Sequence, residues 1–127
     1  NSKQTKEVTS TKENEIISTL KVENEEERNA KITELQTILT KKDATSEEKN
    51  NAYEELKTIN ILKGKEEEIS TKIKDELKLE NFVKIKDDQV RVVVIKENQD
   101  AKLATDIMNL VQSNFDSKMY ISIKFQK

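Results

Sequence analysis

Residues Phe82 to Ile95 read FVKIKDDQVRVVVI, and the period of their apolar side chains decides the fold. Val83 and Ile85 alternate with Lys84 and Lys86, the pattern of an extended chain whose successive side chains point to opposite faces. Asp87-Asp88-Gln89 supplies turn chemistry, and Val90 to Ile95 is a run of β-branched residues with strong strand preference. The stretch is therefore expected to be a β-hairpin. In its second strand Val90, Val92 and Val94 share one face while Val93 and Ile95 share the other. A strand apolar on both faces is a central one, or has its second face covered.

Downstream, Leu103, Ala104, Ile107, Met108, Leu110, Val111 and Phe115 recur at helical spacing and predict an amphipathic helix from about Asp100 to Asn114. Met119, Ile121, Ile123 and Phe125 then alternate with Tyr120, Ser122 and Lys124, giving a third strand. A strand–helix–strand crossover favours parallel neighbours, so strand three belongs beside strand two in the order 1-2-3, with the helices on one face. Val93, Ile95 and Tyr120 would then face away from the helices. They are expected to form a partner surface in preference to being covered by the first helix or the N-terminal segment.

Upstream of Asn81 the sequence is helical and polar. Thr45-Ser46-Glu47-Glu48 is a T-x-x-E capping box, and Ala52, Leu56, Ile59, Leu62, Ile69, Ile73 and Leu77 follow at intervals of threes, fours and sevens. A helix from Ser46 to Leu77 is predicted, with Gly64 as its weak point and a place for a kink. Before it, Asn24 with Glu25, Glu26 and Glu27 reads as a cap and acidic first turn of a helix running to about Lys42. Ile32, Leu35, Ile38 and Leu39 form its stripe, and the short connection makes the two helices antiparallel neighbours. The runs Glu25–Glu27 and Glu66–Glu68 read as solvated helix faces. Asn1 to Asn14 contains one large apolar residue, Val8, too little to offset the entropy of ordering, and is expected to be a disordered linker.

The resulting class is α+β. Residues 1–23 form a flexible linker, 24–65 a helical stalk, and 66–127 an αββαβ module with a three-stranded sheet, a topology related to KH modules. Composition supports the division. There are 15 basic and 19 acidic residues up to Asn81, with Tyr53 the only aromatic, against 8 and 6 after it, where Phe82, Phe115, Tyr120 and Phe125 all lie.

The chain of 127 residues has no Cys and no His, one Gly and no Pro. Thiol nucleophiles, His general bases and His/Cys zinc sites are therefore excluded. Asp87-Asp88 together with Asp100 or Asp116 lacks the converging D-x-D-x-D-G pattern of an oxygen cage. No catalytic, cofactor-binding or metal-binding residue is expected, and the chain reads as a non-enzyme. Net charge is −2 and the GXXG loop of RNA-binding KH modules is absent, so no nucleic-acid partner is expected. No apolar run approaches the roughly 20 residues that span a bilayer. The chain begins at Asn1, the expectation for a mature or trimmed product whose earlier residues held a signal or anchor.

What remains is association. Strands one and three are the edges in the predicted order, and an edge exposes unpaired backbone groups that invite another strand. Strand three has no Pro to block addition, so Tyr120, Ile121, Ser122, Ile123, Lys124 and Phe125 are the candidate partner-binding residues, and a Pro at Ser122 is expected to remove a bridging N–H. The rival surface is the second helix around Tyr53.

EERNAKITELQTILTKKD (26–43), TSEEKNNAYEELKTIN (45–60), KDDQVRVVVIK (86–96) and ISIKFQK (121–127) together resemble the stage III sporulation protein AH family. The resemblance covers Glu26 to Lys127 and is most specific at Val90-Arg91-Val92-Val93-Val94. Ala52 and Leu56 match the family's A-x-x-x-L pattern, Phe82 its aromatic entering strand one, Ile107 and Val111 its last helix, and Ile121 and Ile123 its last strand. The family usually has Gly where Asn81 stands, and Asn is expected to hold a positive φ there. It also often has Gly after the last helix, where Asp116-Ser117 stand.

The resemblance implies a ring-building motif and a role in endospore formation. The chain would be the extracytoplasmic region of a subunit anchored in the mother-cell membrane by a transmembrane helix not contained in it. It would project into the intermembrane space around the forespore and bind the LytM-like domain of stage II sporulation protein Q. The two would form a channel or zipper, with this chain a homo-oligomer in a ring and residues 1–23 its juxtamembrane tether. A generic helical scaffold or adaptor without ring assembly is the alternative.

Overall fold

A computed structural model describes the backbone from Ser2 to Lys127 and the side chains from Glu15 onward. Six elements follow in order: α1 (Ser2–Thr40), α2 (Ser46–Leu77), β1 (Asn81–Lys86), β2 (Gln89–Ile95), α3 (Ala101–Gln112) and β3 (Tyr120–Gln126). The sheet order is β1-β2-β3, with β1 antiparallel and β3 parallel to β2. The architecture is α+β, as the periodicities predict.

α2 begins where its box places it. The Thr45 hydroxyl accepts from the Glu48 N–H at 3.0 Å, and the Glu48 carboxylate accepts from the Thr45 N–H at 3.4 Å. The helix runs unbroken through Gly64 and ends at Lys78, which takes a left-handed conformation with φ 58°. The expected positive φ at Asn81 is therefore misplaced: among the described residues only Lys78 and Asp87 have one. Asn81 instead uses its side-chain amide, donating to the carbonyls of Ser70 at 3.0 Å and Leu79 at 3.1 Å, and so fastens the start of β1 to α2. Asp87, at φ 54°, opens the two-residue hairpin loop, a conformation Asp tolerates better than most residues.

α1 departs most from expectation. It starts at Ser2, so the segment 1–23 predicted to be a flexible tether is helix in its described part, with Asn1 outside the described residues. Asn24 is not a cap but a mid-helix residue. The physical reason is continuity. No Gly or Pro interrupts residues 2–40, and a helix once nucleated adds a residue at little cost. At its N-terminal side the helix has something to bury: Ile17 and Leu20 pack on Phe82, Val93 and Ile95.

Those contacts also overturn the expectation that Val93 and Ile95 form a free partner surface. α1 covers that face, leaving Val93 only 1% exposed, while Tyr120, beyond its reach, remains 60% exposed. On the opposite face, Ile69 and Ile73 of α2 and Ile107 and Val111 of α3 pack against Val83, Ile85, Val90, Val92 and Val94. The division between stalk and module at residue 66 falls inside α2, whose first half packs on α1 and whose second half packs on the sheet.

α1 and α2 run antiparallel, with Lys31 paired to Glu55 at 3.5 Å and Lys63 to Glu25 at 3.8 Å. Beyond Glu66 they part. α1 passes over one face of the sheet and α2 over the other, and β1 enters the fork between them.

Candidate protein-interaction edge

A three-stranded sheet has two edges, and this one treats them differently. At β1, the Ile95 N–H donates to the Glu80 carbonyl at 3.1 Å, so Glu80 turns its backbone groups toward β2. Alternation along an antiparallel strand then turns those of Asn81, Val83 and Ile85 outward. The Ile85 N–H does not meet water. It donates to the Glu66 carboxylate at 2.8 Å, deep in the fork.

Glu66 is buried, and its charge is answered. Its Oε1 accepts from the Arg28 guanidinium at 2.6 Å and from the Asn24 amide at 3.1 Å, while Arg28 also pairs with Glu25 at 2.6 Å. A buried carboxylate is tolerable when paired and hydrogen-bonded in this way. Outside the fork, the Lys84 ammonium donates to Glu27 at 2.7 Å and holds that carboxyl below its usual range. At this edge the Ile85 N–H is thus capped by a carboxylate of α2 that Arg28 and Asn24 of α1 hold in place. The expectation of a solvated face fails for Glu66, while Glu25 and Glu27 keep side chains 45% and 62% exposed. A signal was present, since Glu66 stands between Leu62 and Ile69 on the apolar stripe of α2, where a charge must find a partner.

β3 is the other edge, and no strand lies beyond it among the described residues. The connection that delivers it is clamped by Gln112. That side chain donates to the Ser117 carbonyl at 2.8 Å and accepts from the Met119 N–H at 2.9 Å, closing the loop. The Tyr120 N–H donates to the Asp88 carbonyl at 2.8 Å, and the Gln126 carbonyl accepts from Lys96 at 2.9 Å. Tyr120, Ser122, Lys124 and Gln126 therefore direct their backbone groups toward β2. Ile121, Ile123 and Phe125 direct theirs to the open edge.

The six candidate residues thus divide into two sets. Ile121, Ile123 and Phe125 pack half-buried on the α2/α3 side and offer backbone at the edge. Tyr120, Ser122 and Lys124 are exposed on the outer face and offer side chains. The expected effect of a Pro at Ser122 is corrected by this geometry: its N–H faces β2, so Pro there would break the sheet itself, and the bridging positions are Ile121 and Ile123.

Among the described residues no three acidic, His or Cys side chains converge as a metal site, and no helix is long and apolar enough to cross a membrane. A family model for SpoIIIAH-like protein matches residues 1–123. The chain belongs to the SpoIIIAH-like family. A chain in the solved structure of the SpoIIQ–SpoIIIAH pore-forming complex has the same fold, with a TM-score of 0.78 at 24% identity over 87% of this chain and 96% of that one. No curated protein matches. Family membership supports a role in a sporulation complex, and within that family this chain combines a clasped β1 with an open β3.

Proposed function

We propose that this SpoIIIAH-like chain is a non-catalytic assembly subunit whose β3 edge accepts a strand from a SpoIIQ-type partner. The observation that carries the reading is the asymmetry of the sheet: β1 is closed by Glu66 and α1, while β3 keeps the outward backbone groups of Ile121, Ile123 and Phe125 free for pairing. The partner segment belongs to the LytM-like domain of stage II sporulation protein Q, as the family resemblance and the complex containing the structural neighbour support. The α2-to-β3 unit serves as a ring-building, KH-like module, and copies assemble into a ring. A membrane-spanning helix N-terminal to these residues anchors the subunit in the mother-cell membrane. The complex then bridges the intermembrane space as a channel or zipper.

Amide hydrogen exchange tests the pairing without a substitution. In the free chain Ile121, Ile123 and Phe125 should exchange fast and Ser122 and Lys124 slowly. Adding the LytM-like domain of the cognate SpoIIQ should protect the first three. Complex formation with those amides still exchanging freely would exclude edge pairing. Tyr120→Ala should weaken the complex by about 2 kcal/mol, roughly 30-fold in Kd, if the ring anchors the partner.

A second reading has its own observation, because Tyr53 and Ile61 on α2 are 66% and 61% exposed. A helical scaffold without ring assembly would bind there. Loss of binding in Tyr53→Ala with β3 amides unchanged would select it.

A further inference from the structure

The outer face of the sheet carries cross-strand rows of side chains. Lys86, Gln89 and Tyr120 form one row, Lys84, Arg91 and Ser122 the next, and Phe82, Val93 and Lys124 the third. α1 covers Phe82 and Val93. The first two rows line one side of a concave surface of about 580 Å³ at the hairpin end of the sheet, which wraps past Lys118 to Met108, Met119 and Ile121 on the α3 side. Its charged side chains are Lys84, Lys86, Arg91 and Lys118, with no carboxylate among them. Glu27 answers Lys84. Arg91, Lys118 and Lys124 have no ion-pair partner within 4 Å among the described residues; Arg91 and Lys124 share a neighbouring concavity with Glu15 and Glu23 of α1, whereas Lys118 has no carboxylate in its own. The Lys118 ammonium stands over the Tyr120 ring, 5.8 Å from its centroid, at the start of the open edge.

On a chain of net charge −2 this is a local reversal of sign, adjoining the edge that lacks a strand. A second copy pairing through its own β3 would add another Lys118 and Lys124 beside a hairpin end whose open surface is lined by no carboxylate. Like charges brought together across paired strands destabilise the pair, and edge lysines are a common guard against self-pairing. We propose that β3 selects an acidic extended segment of a partner protein, with carboxylates on the outer-face side of the added strand meeting Arg91, Lys118 and Lys124 and an apolar side chain packing on Tyr120. This names the partner's chemistry and rests on the edge-pairing reading above.

The test pairs two readouts on the 127-residue chain, with the LytM-like domain of the cognate SpoIIQ as probe. Affinity is measured at about 50 and about 300 mM NaCl, and exchange of the Ile121 and Ile123 amides is followed in the same mixtures. Affinity of the parent chain should fall with salt. Lys118→Glu/Lys124→Glu should bind at least tenfold more weakly at low salt with a flattened salt dependence, whereas Lys118→Arg/Lys124→Arg should bind like the parent. Both sites are exposed, and an unchanged thermal melt checks folding. If the edge amides become protected but charge reversal leaves affinity and salt dependence unchanged, the acidic-partner proposal is overturned and edge pairing stands. If the amides stay unprotected, both fall. If reversal abolishes binding to phosphatidylglycerol vesicles while sparing the protein complex, the cations face a membrane and the proposal is overturned.

Discussion

Arg28→Leu isolates the role of the buried carboxylate that closes β1. The Arg28 and Glu66 side chains are 12% and 10% exposed and 2.6 Å apart. Removing one partner of such a pair costs about 3–5 kcal/mol because the remaining charge is left uncompensated in poor solvent. Glu66 would keep two of its three donors, the Asn24 amide and the Ile85 N–H. The loss therefore falls at the lower end, about 3 kcal/mol. With a urea m value of roughly 1.5 kcal/mol/M, the unfolding midpoint should drop by about 2 M. Arg28→Leu/Glu66→Leu should be less destabilised than Arg28→Leu alone, with a coupling of roughly 1–3 kcal/mol, since no buried charge remains. In the double variant, as in Glu66→Leu alone, the Ile85 amide loses its acceptor and should exchange fast. Additive costs, or an Arg28→Leu loss below about 1 kcal/mol, would refute the view that these groups act as one buried network.

Ile17→Ala should cost about 2–3 kcal/mol, because it removes the side chain that α1 places against Phe82 and Val93; hydrogen exchange should show residues 15–22 losing protection before α2 does. Lys78→Gly should stabilise by roughly 0.5–1 kcal/mol in chemical denaturation, since φ 58° at that helix end strains a residue with a Cβ. Glu27 titrates below its usual value of 4.5 because Lys84 hydrogen-bonds and attracts its carboxylate. Its folded pKa is depressed, so its contribution is present above the unfolded value and lost as pH falls through the lower folded one. The drop in melting temperature between pH about 7 and pH about 3 should be slightly smaller in Glu27→Gln.

The sequence displays best what a single element settles for itself. The Thr45 capping box, the β-branched run at Val90–Ile95 and the alternation at Tyr120–Phe125 each place an element to within a residue or two, because caps and side-chain periods are local. What escaped the reading involves partners distant in sequence. The segment before Asn24 looked too polar to order, and so it is alone; Ile17 and Leu20 find Phe82 and Val93, more than 60 residues away. The Glu25–Glu27 run is solvated as read, but Glu66 is not, because Arg28, Asn24 and the Ile85 N–H converge on it. At the candidate edge, residue parity gave the correct side-chain faces of β3. The backbone direction needed the observed bond from Tyr120 to Asp88, and that is why Ser122 was mistaken for a bridging position.

The two unlike edges bear on assembly as well as on partner choice. A three-stranded sheet open on both sides would add copies of itself in line, and head-to-tail addition without closure gives fibres. Here Glu66 occupies the outward N–H of Ile85, and α1 lies over the adjoining face. On the proposed reading, strand addition is therefore directed to β3. A ring of these subunits must then use contacts other than sheet extension, and the open surfaces left for them are the exposed sides of α2 and α3 and the polar faces of the helical stalk. Glu66→Leu separates the two roles: with β1 unclasped, sedimentation should reveal concentration-dependent self-association stronger than that of the parent chain, while binding at β3 persists. Self-association equal to that of the parent would show that α1, and not the carboxylate, keeps the edge closed.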